Sequence, residues 1–146
     1  MAAKNGNQLE RSAVHLLHRA GQCATDIFQL EARASGLTPR QFAVLMTIAG
    51  EEGLTQTDLV ERTGIDRSTL ADIVARLLTR GLIHRRRAKE DARAYAIKLT
   101  AQGCKCLREA EPGAVAADSR LLAVLPPAKR QEFLDTLDLI VTATRK

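Results

Sequence analysis

Aromatic residues are scarce in this chain of 146 residues, which has no tryptophan, one tyrosine and three phenylalanines. Proteins that bind single-stranded nucleic acid commonly stack the bases on aromatic side chains. Only one such side chain, Tyr95, lies close to the most basic part of the sequence. As a partner for this chain, a nucleic acid duplex is therefore favoured over a single strand.

The sequence also lacks the segments that direct a protein to a membrane or across it. No apolar run approaches the roughly 18–20 residues that span a bilayer. Residues 1–7 contain no apolar stretch typical of a secretion signal. Three cysteines without such a signal do not indicate a disulfide framework. We therefore expect a cytoplasmic protein that does not bind membranes.

Motifs of enzymes and of metal sites are missing as well. The sequence contains no nucleophile elbow, no glycine-rich phosphate loop and no pair of carboxylates in a suitable context. His15 and His18 share one face of a predicted helix, but no acid or cysteine stands within a helical turn of them at ligand spacing. The sequence thus predicts neither an enzyme nor a bound metal or cofactor.

The positive charge of the chain is concentrated in one region. The net charge is +5, from 22 Lys and Arg residues against 17 Asp and Glu residues. Residues 62–93 contain nine basic and four acidic residues, while the other 114 residues contain 13 of each. A basic patch on an otherwise neutral protein indicates a polyanionic partner, above all nucleic acid.

The spacing of apolar residues predicts a mainly α-helical chain. One long amphipathic helix is predicted from Leu9 to about Ser35. A second helix starts at Thr38, where Pro39 suits the first helical position and Gln41 can complete a capping box. This second helix is apolar on nearly every side and should be buried. The first helix is longer than so small a domain needs, which points to a partner subunit.

Two short capped helices follow and predict a helix-turn-helix. Thr55 and Asp58 form a capping box on the first, and Asp66 caps the second. The polar face of the second helix carries Ser68, Thr69, Asp72, Ala75, Arg76 and Thr79. Such side chains suit a helix that enters a major groove, although the same face can be merely solvated, with Asp72 and Arg76 as an ion pair.

The spacing of apolar residues then changes from that of a helix to that of a β-strand. After Leu82-Ile83-His84 comes a polar tip from Arg85 to Arg93, and then Tyr95, Ile97 and Leu99 alternate with smaller or polar residues. Alternation after a polar turn predicts a β-hairpin. A basic hairpin directly after a helix-turn-helix is typical of the wing of a winged helix, which contacts phosphates or the minor groove.

Two further helices complete the predicted chain. One begins at Thr100 and runs to Leu121 and Leu122, and Pro112-Gly113 should kink or split it. The last begins at Leu125-Pro126-Pro127 and carries Phe133, Leu134, Leu137, Ile140 and Val141 on one face. The predicted fold is therefore a single domain, mainly α with a small β-hairpin wing, built around a winged helix-turn-helix.

The order of elements and several local motifs resemble the MarR (multiple antibiotic resistance regulator) family of bacterial transcription factors. The matching stretches are Leu37-Thr-Pro-Arg-Gln-Phe, Asp66-Arg-Ser-Thr-Leu, Arg80-Gly-Leu-Ile-His-Arg, Asp91-Ala-Arg93 and Leu99-Thr-Ala-Gln-Gly103. The resemblance implies a homodimer held by helices in residues 8–35 and 101–146. It also implies a DNA-binding lobe at 37–100, set for a palindromic duplex, and repression that a small molecule relieves.

Eleven residues are the candidates for DNA contact. In the family, the arginine of the Asp-x-Arg wing enters the minor groove and the aspartate orients it, which assigns these roles to Arg93 and Asp91. The narrow groove has an enhanced negative potential that suits a guanidinium. The candidates are Arg67, Ser68, Thr69, Asp72, Arg76, Arg85, Arg86, Arg87, Lys89, Asp91 and Arg93.

The resemblance implies an effector site between the dimerisation helices and the DNA-binding lobe. A cation or an imidazole in a mostly apolar pocket suits an anionic or phenolic ligand. The similarity of the local sequence to regulators of aromatic-compound catabolism indicates an aromatic carboxylate or its coenzyme A thioester as effector. The residues assigned to this site are His15, His18, Arg19, Phe42 and Met46.

Two alternative functions stay open at this point. The first is a thiol-redox or metal-responsive regulator of the same fold, although Cys23 lies later than the sensing thiol of such relatives. Cys104 and Cys106 point about 200° apart on a helix, which disfavours a disulfide between them. Buried, unreactive thiols are the preferred interpretation. The second is a winged-helix module for contacts with protein or RNA.

Overall fold

The computed structural model describes residues 8–87 and 94–144. A helical turn at residues 8–10 precedes the first long helix, and a 3-10 turn at Arg33–Ser35 follows it. The prediction of a mainly α chain with one hairpin is confirmed. In chain order the elements are α1 (Ala13–Glu31), α2 (Pro39–Gly50), α3 (Gln56–Thr63), α4 (Arg67–Thr79), β1 (Ile83–Arg87), β2 (Tyr95–Leu99), α5 (Ala101–Leu122) and α6 (Pro127–Thr144).

The first helix is shorter than the predicted helix from Leu9 to Ser35. It begins after Ser12, whose hydroxyl accepts a hydrogen bond from the backbone N–H of His15 at 3.3 Å. It ends at Ala32, after which the chain tightens into the 3-10 turn. Apolar spacing continues through both ends, so the spacing alone did not reveal that a serine cap interrupts the helix.

The predicted helix starts are confirmed by their cap hydrogen bonds. Thr38 and Thr55 both form complete capping boxes, with Gln41 and Asp58 as their partners. Thr100 accepts from the N–H of Gly103 at 3.0 Å at the start of α5. These interactions satisfy amides that the helix itself leaves without acceptors, which is why the sequence pattern located the starts.

A kink or a split was predicted at Pro112-Gly113, and the split is wrong, because α5 is continuous through both residues. Gly113 lies against the end of α1, where a Cβ atom would be 2.6 Å from the carbonyl oxygen of Glu31 and 2.7 Å from the Cα of Ala32. An ion pair of 3.3 Å between Arg120 and Glu31 also joins the two helices. This packing holds the helix together despite the backbone donor that the proline removes.

The main core lies inside the lobe formed by α2, α3, α4 and the hairpin. Its fully buried side chains are Val44, Leu45, Leu59, Leu70, Val74, Leu77 and Ile97. The second helix was predicted to be apolar and buried on nearly every side, but only one of its faces is covered. Val44, Leu45 and Ile48 are buried, whereas Met46 is 43% exposed.

The hairpin is fixed to the start of α3. Its strands are antiparallel, with Ile83 opposite Leu99 and Arg87 opposite Tyr95. The N–H of Ile97 donates to the carbonyl of Leu54 at 2.8 Å, and Thr55 pairs with Ala96 as an isolated bridge. The basic strand β1 is therefore held beside the helix-turn-helix, as in a winged helix.

The first and last helices cover little of their apolar surface within the protomer. Phe28 is the only buried residue of α1, and α6 has none among its described residues. Apart from the turn that joins it to α5, α6 makes no extensive contact with the other described elements. The exposed apolar side chains of these two helices are Val14, Leu16, Leu17, Leu30, Leu134, Leu139, Ile140 and Val141. In the part of the chain that the structure describes, no helix is both long and apolar enough to cross a membrane.

Candidate nucleic-acid interface

The second helix of the helix-turn-helix, α4, presents one apolar and one polar face. Leu70, Ile73, Val74 and Leu77 are buried in the lobe. The opposite side carries the predicted contact residues, of which Arg67, Ser68, Asp72 and Arg76 are exposed and Thr69 is half-buried. This arrangement leaves a continuous polar and basic surface along the helix.

Asp66 fixes the start of α4. The backbone N–H of Thr69 donates to its carboxylate at 2.9 Å, and the Thr69 hydroxyl donates at 2.7 Å. These two hydrogen bonds lower the pKa of Asp66 below its ordinary value. Asp66 is thus a structural cap, as predicted, and the Thr69 hydroxyl keeps its acceptor lone pairs for an external donor.

Asp72 and Arg76 form an ion pair along the exposed face of α4. The Arg76 Nε atom lies 3.0 Å from the Asp72 Oδ2 atom, and both side chains are about two-thirds exposed. A solvated pair of this kind contributes only a few tenths of a kcal/mol to stability. Either side chain can therefore be redirected to a ligand at little energetic cost.

Three consecutive arginines extend this surface onto the hairpin. Arg85, Arg86 and Arg87 are exposed on β1, and alternate residues of a strand point to opposite sides. The Arg87 guanidinium lies 5.9 Å from the centre of the Tyr95 ring, a cation–π contact that orients it. The predicted contacts Lys89, Asp91 and Arg93 lie outside the described residues.

Two further arginines of the basic region, Arg62 and Arg80, have partners in more distant parts of the chain. Arg62 forms an ion pair of 2.9 Å with Glu51. Arg80 donates to the carbonyl oxygens of Ser35 and Gly36, each at 3.2 Å. Counting charges along the sequence did not reveal these pairings, because each partner lies 11 to 45 residues earlier in the chain.

A small cavity lies between the start of α3 and the hairpin. It has a volume of about 280 Å³, and Thr55, Gln56, Thr57, Arg85 and Tyr95 line it together with Ala94 and Ile97. The Arg85 guanidinium and the first turn of α3 thus border one concave surface on the lobe. This surface continues the basic strand toward the helix-turn-helix.

A second concave surface lies where α1, the start of α2 and α4 meet. This groove has a volume of about 330 Å³, near the lower end of the range for small-molecule sites. Its cations are Arg40 and Arg76, and Asp72 is its acid. The other lining residues are Thr25, Gln29, Thr38, Pro39, Gln41, Thr69 and Ile73. Sequence reasoning missed Arg40 and the two α1 residues, because nothing local to them signals a cavity.

The five predicted effector residues are not gathered in either of these cavities. Phe42 packs on Phe28 with 5.5 Å between the ring centres, and Met46 is exposed on α2. His15 is half-buried, and His18 and Arg19 are exposed on the first half of α1. Within one described protomer these residues do not converge on a common ligand position.

The three cysteines are more exposed than predicted, because the preferred interpretation was that all of them are buried. Cys23 is exposed on α1, and Cys104 and Cys106 are half-buried on α5. The spacing of apolar residues placed Cys23 on the helix but could not show that its side of the helix is uncovered. The Cys106 thiol lies 3.6 Å from the carbonyl oxygen of Ser35, to which it donates.

Comparison with known proteins identifies the family. A family model described as MarR family matches residues 35–94. The transcriptional regulator HosA of Escherichia coli O111:H- is 32% identical over 135 residues, which cover 92% of this chain and 98% of HosA. The chain belongs to the MarR family. As a MarR-family protein it is a DNA-binding transcriptional regulator with a winged helix, and this family consists of regulators rather than enzymes.

Solved MarR-family structures share the fold over nearly the whole chain. The transcriptional repressor CouR bound to a 23-mer DNA duplex is 28% identical, with a TM-score of 0.83 over 92% of this chain and 95% of CouR. CouR has also been solved with p-coumaroyl-CoA. BpsR of Bordetella bronchiseptica, whose DNA binding is regulated by 6-hydroxynicotinic acid, is 29% identical, with a TM-score of 0.83 over 93% of this chain and 96% of BpsR.

Proposed function

We propose that this MarR-family regulator is a homodimeric repressor that binds a palindromic DNA duplex and is released by a small anionic aromatic effector. The observation that carries the proposal is the exposed face of α4 beside the arginines of β1. The two elements contact each other, and both expose arginines to solvent. Phosphate attraction and groove readout require exposed basic and polar side chains of this kind.

In the proposed complex, residues 37–100 form the DNA-binding lobe and α4 enters a major groove. Thr69, Asp72 and Arg76 reach base edges or phosphates, together with Arg67 and Ser68 at the start of the helix. Arg85, Arg86 and Arg87 contact phosphates, and the wing residues Lys89, Asp91 and Arg93 extend this contact into the adjacent minor groove.

The proposed dimer is held by the helices within residues 8–35 and 101–146. Its support is the apolar surface that α1 and α6 expose in one protomer, including Leu134, Ile140 and Val141. Exposed apolar patches of this kind mark protein–protein contacts. A two-fold dimer places two α4 helices about one turn of DNA apart, so half-site centres about 10 bp apart are expected.

The proposed effector is an aromatic carboxylate or its coenzyme A thioester. The groove between α1, α2 and α4 contains Arg40 and Arg76, whose guanidinium groups suit a carboxylate. CouR with p-coumaroyl-CoA and BpsR with 6-hydroxynicotinic acid are relatives with ligands of these classes. A ligand at Arg76 and Ile73 would contact α4 directly and bias its position relative to α1.

The predicted residues His15, His18, Arg19, Phe42 and Met46 stay part of the proposal as a second region of effector contact. His18 and Arg19 lie on the exposed surface of α1, on the helix proposed to meet the partner subunit. In this proposal the second protomer completes the enclosure around them.

DNA binding is tested by titrating duplex DNA from the region upstream of the protein's own gene at several salt concentrations. Arg85→Met should weaken binding and reduce the slope of log affinity against log salt by about one, as for one lost phosphate contact. Arg62→Met is the matched control, because it removes the same charge from a side chain already paired with Glu51. An unchanged slope for Arg85→Met would contradict the phosphate role.

Effector release is tested by repeating the titration with aromatic acids, their coenzyme A thioesters, peroxide and zinc. We expect an aromatic acid or thioester to weaken binding, and Arg40→Met to reduce that response if the groove holds the ligand. The response of His18→Gln to the same compounds tests whether the second region, which contains His18, contacts the effector. A response to peroxide or zinc alone would favour the thiol or metal sensor instead, and no response to any compound would reject ligand control.

A further inference from the structure

Arg80 connects the end of α4 to a distant part of the chain. Its backbone N–H closes α4 by donating to the carbonyl of Arg76 at 3.0 Å. Its side chain crosses to the linker between α1 and α2, where one terminal nitrogen donates to the Gly36 carbonyl and the other to the Ser35 carbonyl, each at 3.2 Å. The two carbonyls receive the fork of the guanidinium together.

The linker that receives Arg80 is itself held firmly. Ser35 is buried, and its hydroxyl donates to the Ala32 carbonyl at 2.7 Å and accepts from the N–H of Leu37 at 3.2 Å. The Ser35 carbonyl also accepts from the Cys106 thiol of α5. Gly36 has a φ of +67°, a left-handed conformation that glycine adopts without strain. Arg80 is therefore anchored to the point where α1, α2 and α5 meet.

The rest of α4 packs within the DNA-binding lobe, against α2, α3 and β1. Arg80 follows the last residue of α4, and the hydrogen bonds of its guanidinium join this end of α4 to the linker that follows α1. Together with the hydrogen bonds from Thr100 of the α5 cap to the carbonyls of Gly81 and Leu82, this contact helps to fix the angle between α4 and the helices of the proposed dimer. In a dimer, that angle sets the distance between the two α4 helices, which are proposed to enter the major groove.

We infer that Arg80 is a positioning residue, which fixes α4 relative to α1 and so sets the half-site spacing that the dimer accepts. In this role the Arg80 guanidinium donates to the two carbonyls and does not contact a DNA phosphate, although the residue lies in the basic region of the sequence. The inference rests on DNA binding by the family and on the proposed dimer.

The test compares Arg80→Met, Arg80→Lys and wild type on the upstream duplex that wild type binds. The same duplex is prepared with its half-sites moved one base pair closer and one base pair further apart. Affinity is measured at several salt concentrations, thermal unfolding gives stability, and analytical ultracentrifugation gives the oligomeric state. Methionine keeps the bulk of the side chain without its donors, and lysine restores a charge that can reach one carbonyl. Arg85→Met serves as the phosphate-contact control.

We expect Arg80→Met to bind the natural spacing about tenfold more weakly, the scale of a lost charge-assisted hydrogen bond. Binding to the altered spacings should change little, so discrimination between spacings falls. The salt slope should stay as in wild type, and Arg80→Lys should recover part of the discrimination. A merely structural role would lower stability without changing the preference among spacings.

Three results would overturn the inference. The first is wild-type affinity and spacing preference in Arg80→Met. The second is a salt slope reduced as in Arg85→Met, which would make Arg80 a phosphate contact. The third is an equal loss on all spacings together with a lower unfolding temperature. If wild type itself shows no sequence-preferring duplex binding, or is a monomer, it is the proposed function that fails.

Discussion

At the scale of single residues, the start of α3 shows how two side chains define a helix. The Thr55 N–H donates to the Asp58 carboxylate at 2.8 Å, and the Asp58 N–H donates to the Thr55 hydroxyl at 3.2 Å. The hydrogen bond from the Thr55 backbone is the main reason that the pKa of Asp58 lies below its ordinary value of 3.8. The ionised carboxylate is therefore the form that the fold stabilises.

The pH dependence of stability should report this cap. Because the folded-state pKa of Asp58 is lowered, its contribution is complete above the ordinary value of 3.8 and is lost as pH falls through the lower folded-state pKa. Asp58→Asn should lower the free energy of unfolding by at most about 1 kcal/mol near neutral pH. The difference from wild type should shrink as the solution is acidified below 3.8.

Urea unfolding at a series of pH values measures this effect. Glu52→Gln is the control, since Glu52 is an exposed acid in the loop before the same helix. A difference between wild type and Asp58→Asn that stays constant down to the lowest pH would show that the ionised carboxylate is not what matters.

The sequence separation of interacting residues explains why the helix starts could be predicted and the partners of Arg80 could not. A capping box spans three residues, so Thr38 with Gln41 and Thr55 with Asp58 are visible in the sequence. The carbonyls that bind Arg80 belong to Ser35 and Gly36, 45 and 44 residues away, respectively. Any residue type offers a backbone carbonyl, so no side-chain pattern marks that partner.

At the scale of elements, the junction between the hairpin and α5 depends on a close backbone approach. Gly103 lies in the first turn of α5 against Leu82, where an added Cβ would clash with the Leu82 carbonyl oxygen. The Thr100 N–H donates to that same carbonyl at 3.0 Å. Helix and lobe are therefore joined by main-chain contacts that leave no room for a side chain.

Gly103→Ala should destabilise the fold by about 2–3 kcal/mol or more, because the obstructing atoms are backbone and cannot rotate away. Gly50→Ala is the matched control, since nothing lies within 4 Å of a Cβ at that helical position. The control should be neutral or gain up to about 1 kcal/mol. Chemical denaturation measures both, and equal stabilities for the two variants would contradict the close approach.

Element-scale prediction failed where packing overrides local propensity. Pro112-Gly113 is a helix-breaking pair in isolation, but in α5 the missing side chain of Gly113 lets α1 approach. The end of α1 was misplaced for a related reason. Apolar residues continue past Glu31, while the buried hydroxyl of Ser35 tightens the chain into a 3-10 turn.

At the scale of the whole molecule, α1 and α6 expose apolar side chains that the protomer does not cover. Ile140→Lys introduces a charge on the predicted apolar face of α6 and should shift the protein toward monomer. It should also weaken binding to a palindromic duplex, because one protomer contacts a single half-site. Analytical ultracentrifugation and duplex titration measure the two effects.

Thr142→Lys adds the same charge to the opposite side of α6 and is the control for this prediction. It should leave the oligomeric state and the DNA affinity close to those of wild type. If Ile140→Lys remains as associated as Thr142→Lys, the second copy does not cover this face of α6.

The exposure of α6 also has a thermodynamic consequence. A helix that buries none of its described residues within its own protomer gains little from tertiary packing, which supplies most helical stability in proteins. In the proposed dimer, the free energy that orders α6 comes from association and so follows mass action. The melting temperature should then rise with protein concentration, and the cellular copy number would decide how much of the regulator has ordered terminal helices.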